Sequence, residues 1–229
     1  MILSQNTVEM LKNYSSINSN LVFTQGNTIS TISEARNILA TATIDNDIPT
    51  EFGIYDLSAF LGVIGLVDDP KMKINESHAT ISDSVGRTSI KYWFTDVEML
   101  TSPTDTMINK AKEINDFEVS FTMDQDTMNK IKRAANTLGH THMSVTADDG
   151  ALAFTVFDPE SSTSNTFTIQ LAGHYETEDF NIVFSIQNMK ILPGDYDVGL
   201  SSKLMSKWSH KDKNVNYWIA LEKSSTYGA

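Results

Sequence analysis

The segment DQDTMNKIKRAANTLGHTHMSVTA, residues 124–147, reads as a helix followed by the start of a strand. At about 100° per residue, Met128, Ile131, Ala135 and Leu138 share one side of the helix. Asp126, Asn129, Lys130, Arg133, Asn136 and Thr137 lie largely on the other. From His142 the pattern alternates as a strand does, and turn chemistry at Asp148-Asp149-Gly150 predicts a hairpin over residues 143–157. After Asp126 the segment holds no acid until Asp148, yet it carries Lys130, Lys132 and Arg133. The chain around it has 29 acidic and 17 basic residues, a formal net charge of −12. An acidic chain has cleared acids from one helix.

Working outward, strand patterns dominate. They run over residues 20–32, 37–44, 87–95, 117–123, 142–158, 166–175, 179–186, 196–202 and 215–223. Helical patterns are fewer. One covers 4–16, with Ser4 as its cap and Val8, Leu11 and Ser15 on one face. A second, over 56–67, is capped by Asp56 and turns Leu57, Phe60, Leu61 and Ile64 inward. Its small residues Ser58, Gly62 and Gly65 predict a neighbouring backbone at close range, since helix-interior glycine costs about 1 kcal/mol against alanine. The third is the opening helix, and a short turn near 187–192 is stopped by Pro193-Gly194. Helix, strands, helix and strands thus recur in two halves. Residues 96–116 form a polar connector broken at Ser102-Pro103-Thr104. The expected architecture is α+β with two similar domains, 1–107 and 108–229, each placing helices on one side of antiparallel sheet.

Composition narrows the chemistry. With 229 residues, 40% hydrophobic and 20% charged, the chain reads as an ordinary globular protein. It has no cysteine, which excludes disulfides, thiolate zinc sites and cysteine nucleophiles and fits a reducing cytosol. No signal peptide is visible, and the longest apolar run, residues 54–67, is shorter than the roughly 20 residues that span a bilayer, so it is expected to be a buried helix. Walker, G-x-G-x-x-G and H-E-x-x-H motifs are missing. His140 and His142 sit at strand spacing without evident further ligands, and the pairs Asp68-Asp69 and Asp148-Asp149 fall in turns. These residues point to a protein that is not an enzyme and needs no metal or cofactor.

What remains is the polar face of the opening helix. It fits a solvated surface first, and the sharper alternative is a surface that meets phosphates through cations, amides and hydroxyls. Helix 4–16 shows a similar trend, with Gln5, Lys12, Asn13 and Ser16 outward and Glu9 its lone acid. Near the C-terminus, Lys203, Lys207, Lys211 and Lys213 read as a basic loop.

Four blocks, MLKNYSSIN (10–18), IYDLSAFLGVIGLV (54–67), NMKILPGDYDVGL (188–200) and NYWIALEKSST (216–226), resemble the DNA polymerase sliding clamps of T-even-type bacteriophages. The blocks occur in order and at family-like spacing, while residues 68–187 match in element order alone. The resemblance implies the DNA clamp fold and a ring of three identical subunits. Such a ring surrounds double-stranded DNA without reading its sequence and tethers the replicative DNA polymerase. It further implies loading by an ATP-driven clamp loader, activation of late transcription, and residence in the cytoplasm of the infected bacterium, with no membrane partner.

On this resemblance the DNA-facing residues are Lys12, Asn13, Lys130, Lys132, Arg133, Asn136, Lys203 and Lys207. Where the family often carries basic residues near the N-terminus, this chain has Ile2 and Gln5. The resemblance places partner peptides in an apolar pocket between the domains, lined by Ile38, Val97, Met99, Leu100, Ile219 and Leu221. It also implies edge-to-edge pairing of strand 87–95 with strand 166–174 of the next subunit. A viral structural protein built from β-sandwiches shares the strand content and the acidity, and stands as the alternative.

Overall fold

The computed structural model describes residues 1–148, 150–176 and 178–228. The chain divides into two compact units, Met1–Ile108 and Asn109–Ala229. In the first unit the order is α1 (Gln5–Ile17), β1 (Leu21–Phe23), β2 (Gly26–Ile32), β3 (Ile38–Ile48), β4 (Phe52–Ile54), α2 (Leu57–Ile64), β5 (Lys71–Ile74), β6 (His78–Ser82) and β7 (Ser89–Trp93). A 3-10 turn (Val97–Met99) follows, and α3 (Asp105–Glu113) spans the division. Strands β2 and β3 form an antiparallel hairpin, β1 pairs with β4, and β5-β6-β7 is a three-stranded meander with β7 at its edge.

Helix α1 starts where the backbone is pinned. The Ser4 hydroxyl accepts from the Thr7 N–H at 3.0 Å and donates to Asp45 at 2.7 Å. The Asn46 amide grips both sides of the preceding segment, donating to the Ile2 carbonyl at 2.7 Å and accepting from the Ser4 N–H at 2.9 Å. The buried stripe of α1 is Thr7, Met10, Leu11, Tyr14 and Ile17, so the Val8–Leu11–Ser15 face expected from sequence is rotated. Tyr14 decides the rotation: its ring is fully buried and its hydroxyl donates to the Ile29 carbonyl. A buried aromatic ring outweighs a single valine.

Helix α2 is capped by Asp56, whose carboxylate accepts from the Ala59 N–H at 2.8 Å. It buries Leu57, Phe60 and Ile64 but exposes Ser58, Ala59, Gly62, Gly65 and Leu66, the last at 75%. It is therefore half-buried, not a buried helix. No neighbouring backbone approaches Gly62, where an added Cβ would meet nothing within 4 Å.

In the second unit the order is β8 (Val119–Met123), α4 (Gln125–Leu138), β9 (His142–Asp148), β10 (Ala151–Phe157), β11 (Phe167–Leu171), β12 (Gly173–Tyr175) and β13 (Phe180–Ser185). A 3-10 turn (Ile186–Asn188), β14 (Tyr196–Ser201), β15 (Met205–His210), β16 (Val215–Ala220) and β17 (Thr226–Tyr227) complete it. Two antiparallel sheets form, in the orders β11-β10-β9-β13-β17 and β12-β8-β14-β15-β16. The expected hairpin is β9–β10, with Ala151 opposite Asp148, while Asp149 lies outside the described residues. The core is aromatic: Trp208 meets Phe121, Phe184 and Tyr196 edge-on at ring distances of 6.0–6.2 Å. Its indole N–H donates to Ser206 at 3.0 Å, and the Ser206 hydroxyl donates to the Ile219 carbonyl at 2.9 Å. That relay satisfies the Trp208 indole N–H and the Ser206 hydroxyl.

The fold class is α+β with antiparallel sheets, as the sequence predicts, but several elements differ. The connector contains α3, which buries only Ala111 and draws on Asp105 in its first turn and Lys110 and Lys112 in its last. The second helix expected in the second half is only the 3-10 turn, which ends at Asn188, well before Pro193-Gly194. The basic loop is in part strand β15, because Ser206, Trp208 and His210 alternate inward beneath its lysines. Strands β5 and β6 were not expected. Among the described residues no helix is long and apolar enough to cross a membrane.

One turn ties the second unit together. Gly194 has φ +143°, and its Cα faces the His210 imidazole. That ring donates from Nε2 to the Pro193 carbonyl at 3.1 Å, and its Nδ1 accepts from the N–H groups of Asp212 and Lys213, each at 3.1 Å. Gly194→Ala both strains the backbone and drives a methyl into the ring, so it should destabilise by about 2 kcal/mol or more. Thermal melts of Gly194→Ala, His210→Ala and the double variant should show a double loss smaller than the sum of the single losses.

Candidate nucleic-acid interface

Helix α4 shows how the sequence places charge. Asp124 caps it, accepting from the Thr127 N–H and hydroxyl at 2.8 Å each. Those hydrogen bonds hold the Asp124 carboxyl below its ordinary value. Gly139, at φ +71°, closes the other end in the left-handed conformation that glycine adopts freely. Thr127, Met128, Ile131 and Ala135 are buried, and the rotation this imposes leaves Asn129, Lys130, Arg133, Asn136 and Thr137 exposed. Lys130 and Arg133 stand one turn apart on that face. Among the described residues neither forms a salt bridge within 4 Å; the pair recorded is Lys211–Asp197 at 3.5 Å. Asp126 is the only acid on the helix.

Lys132 does not share this face. It is half-buried, and its ammonium donates to the Met189 carbonyl at 3.0 Å. Burial lowers its pKa from the ordinary lysine value. The residue tethers the segment after the 3-10 turn to α4, which removes it from the exposed cations. On α1, Lys12 is exposed and Asn13 half-buried, with Ser15 and Ser16 bonding back to the carbonyls of Lys12 and Asn13.

The C-terminal lysines stand on other elements. Lys203 is exposed in the tight β14–β15 turn, where Ser201 pairs with Met205. Lys207 sits on β15, its ammonium 3.4 Å from the Asn115 side chain and 6.0 Å from the Trp218 ring centre. His140 donates from Nε2 to the Asn165 carbonyl at 2.6 Å, and His142 contacts the Thr141 hydroxyl at 2.9 Å.

Of the residues assigned to peptide docking, Ile38, Val97, Met99 and Leu100 belong to the first unit, and Ile219 and Leu221 to the second. Ile38, Ile219 and Leu221 are buried. Val97 and Leu100 pack over Gly53, where an added Cβ would lie 2.7 Å from Leu100 and 3.4 Å from Val97. Met99 alone is free, at 80% exposure.

Sequence reasoning missed a groove of about 390 Å³ between α4 and the β11 edge, lined by Lys130, Arg133, Ala134, Thr137, Leu138, Thr166 and Phe167. Its walls are distant in sequence, and no local pattern announces it. Edge strand β11 half-buries Phe167, Ile169 and Leu171 on one side, and edge strand β7 does the same with Ile90 and Tyr92. Trp93 and Val85 are exposed at 64% and 73%.

Comparisons with known proteins converge. The family described as DNA polymerase processivity factor matches residues 4–95, and the one described as gp45 sliding clamp, C terminal, matches residues 120–223. The sliding clamp of Vibrio phage KVP40 is 27% identical, covering 97% of this chain and 99% of that protein. The sliding clamp of Escherichia phage RB69 is 27% identical over 99% of each. Among solved structures, Proliferating Cellular Nuclear Antigen from Entamoeba histolytica superposes with a TM-score of 0.69 at 11% identity, over 95% of each chain, a likeness of fold alone.

The two kinds of lysine on α4 can be told apart on a polyanion column. Arg133→Met and Lys130→Met should each elute at lower salt than the unaltered protein. Lys132→Met, whose ammonium is already engaged, should elute with the unaltered protein. Equal shifts for all three would return Lys132 to the exposed set.

Proposed function

The chain belongs to the bacteriophage sliding clamps, and from that premise we propose that three copies close into a ring around duplex DNA and hold a replicative polymerase on its template. The observation that carries this reading is the α4 face, where an acidic chain leaves Lys130 and Arg133 without carboxylate partners among the described residues. With Lys12 on α1 and the amides of Asn13 and Asn136, they would face phosphate and no base edge.

The sparse lining suits a tether that moves. Each phosphate contact releases counterions, and binding that grew with every contact would have to be broken at each step. A closed ring needs no such grip, because topology retains it. A few cations offset repulsion between the acidic chain and its track, while the acidic remainder disfavours binding to DNA from outside.

Ring closure requires two complementary edges per copy. The β7 edge of one copy and the β11 edge of the next each have unpaired backbone groups and one apolar row, the arrangement that invites strand addition. Because the two edges differ, the contact is head-to-tail, and rotation by a third of a turn closes it. An ATP-driven loader would open one such junction. In the infected bacterial cytoplasm the loaded ring would also serve late-transcription factors. Exposed Met99 is the residue offered to the tails of these partners, a flexible thioether suited to varied apolar peptides.

Primer extension on circular DNA with the cognate loader and polymerase tests the function: long products should require this protein. Retention on linear duplex should require blocked ends, and equal retention with free ends, without a loader, would overturn encirclement. Lys130→Gln and Arg133→Gln should each lower the salt slope of duplex binding by about one. Ile169→Asp, which puts a charge in the apolar row of β11, should give monomers by sedimentation and abolish the stimulation while leaving the circular dichroism spectrum unchanged.

A further inference from the structure

We propose that Lys130 and Arg133 belong to the subunit junction as well as to the DNA-facing surface. Their aliphatic stems wall the groove that a second copy fills, and their charged heads remain on the duplex side. The inference rests on the closed-ring reading and extends it.

The groove lies between α4 and the free edge of β11, and its lining combines apolar Ala134, Leu138 and Phe167 with the side chains of Lys130 and Arg133. An apolar groove beside an unpaired strand is left wet by the single chain. A second copy supplies a fitting occupant. On β7, Tyr92 stacks edge-on against Phe60 of α2 at 5.0 Å, which places Tyr92 and its alternate neighbour Ile90 on the helix side of the meander. Phe167 shares the groove with α4, which places the apolar row of β11 on the helix side of its own sheet. Pairing β7 with β11 with their helix sides matched therefore brings Ile90 and Tyr92 against the groove. Long cationic side chains bury their methylenes on apolar surface while their charges stay in water. Lys130 and Arg133, exposed in the single chain, are placed to do this over the incoming strand.

Coupling between closure and DNA follows. Packing the stems at the junction orders two side chains that phosphate binding would otherwise have to order. Linkage makes the effect reciprocal: duplex in the ring should strengthen the same junction. Lys12, on α1, is outside the groove and should contribute to DNA binding without affecting assembly.

Stem and head separate by substitution, since methionine keeps an unbranched apolar stem without charge and alanine keeps neither. Both residues favour helix, so α4 should persist. Sedimentation of the full chain across concentration should give a trimer midpoint for Lys130→Met/Arg133→Met within about twofold of the unaltered protein. For Lys130→Ala/Arg133→Ala the midpoint should rise about tenfold or more. Subunit exchange between two fluorescently labelled pools should slow when a short duplex is added to the unaltered protein. The methionine variant should lose most of that slowing, and Lys12→Ala should keep the unaltered midpoint. An alanine variant that assembles like the unaltered protein would overturn the inference while leaving the ring intact, and so would a methionine variant as weakened as the alanine one. An unaltered protein that stays monomeric would instead overturn the ring reading itself.

Discussion

The rotation of α4 is set by the burial of Thr127, Met128, Ile131 and Ala135, and this constraint determines what the second unit can present to a partner. A helix that packs one stripe has no freedom to choose what its opposite stripe shows. With those four inward, Lys130 and Arg133 must point to solvent, and Lys132 falls at the margin. A charge at the margin cannot be left half-dehydrated without a partner, and the Met189 carbonyl supplies one. The same contact fixes the chain leading into the Pro193-Gly194 turn, so one helix orders both its own face and the neighbouring segment. The capping residues Asp124 and Gly139 hold its ends in register with this packing.

The two sheets of the second unit share a second constraint. Strands β11 and β12 follow one another with only Ala172 between them, yet they pair in different sheets. The chain can cross there because Gly173 has no side chain: an added Cβ would fall 2.9 Å from the Ser120 carbonyl oxygen and onto Leu152. The crossing positions β11 at the outer edge of its sheet, next to α4. An edge so placed cannot be covered by the unit's own strands, and the apolar row it carries is better suited to a partner strand than to water.

Local signals were legible where one residue type has one physical use. Ser4 and Asp56 are caps in the sequence and in the structure. The β9–β10 hairpin was readable because alternation on both sides converged on a turn. The face of α4 was readable from spacing alone. Features that depend on distant partners were not. The face of α1 turned on what Tyr14 meets 15 residues away at Ile29. Strand β15 was hidden because its inward positions include Ser206 and His210, polar residues that are acceptable inside only once Ile219 and Pro193 satisfy them. Lys132 looked equivalent to Lys130 because no local pattern encodes a carbonyl 57 residues away. Helix α3 escaped notice because it buries a single alanine and so lacks an apolar stripe.

In the proposed ring a weak positive lining would reconcile two opposed demands. Retention favours more phosphate contacts, whereas movement requires that contacts break as fast as they form. Binding energy cannot serve both, because each neutralised phosphate strengthens holding and slows sliding together. In the proposed ring, closure would separate the two: strand pairing and apolar packing at the junctions would supply retention, and the helices would need only to make the passage electrostatically tolerable. The acid-poor face of α4 in a chain of net charge −12 is what such a division requires. A surface meant to bind DNA by charge alone would need a dense basic patch, whereas the proposed ring would need only thinned-out acids along its track.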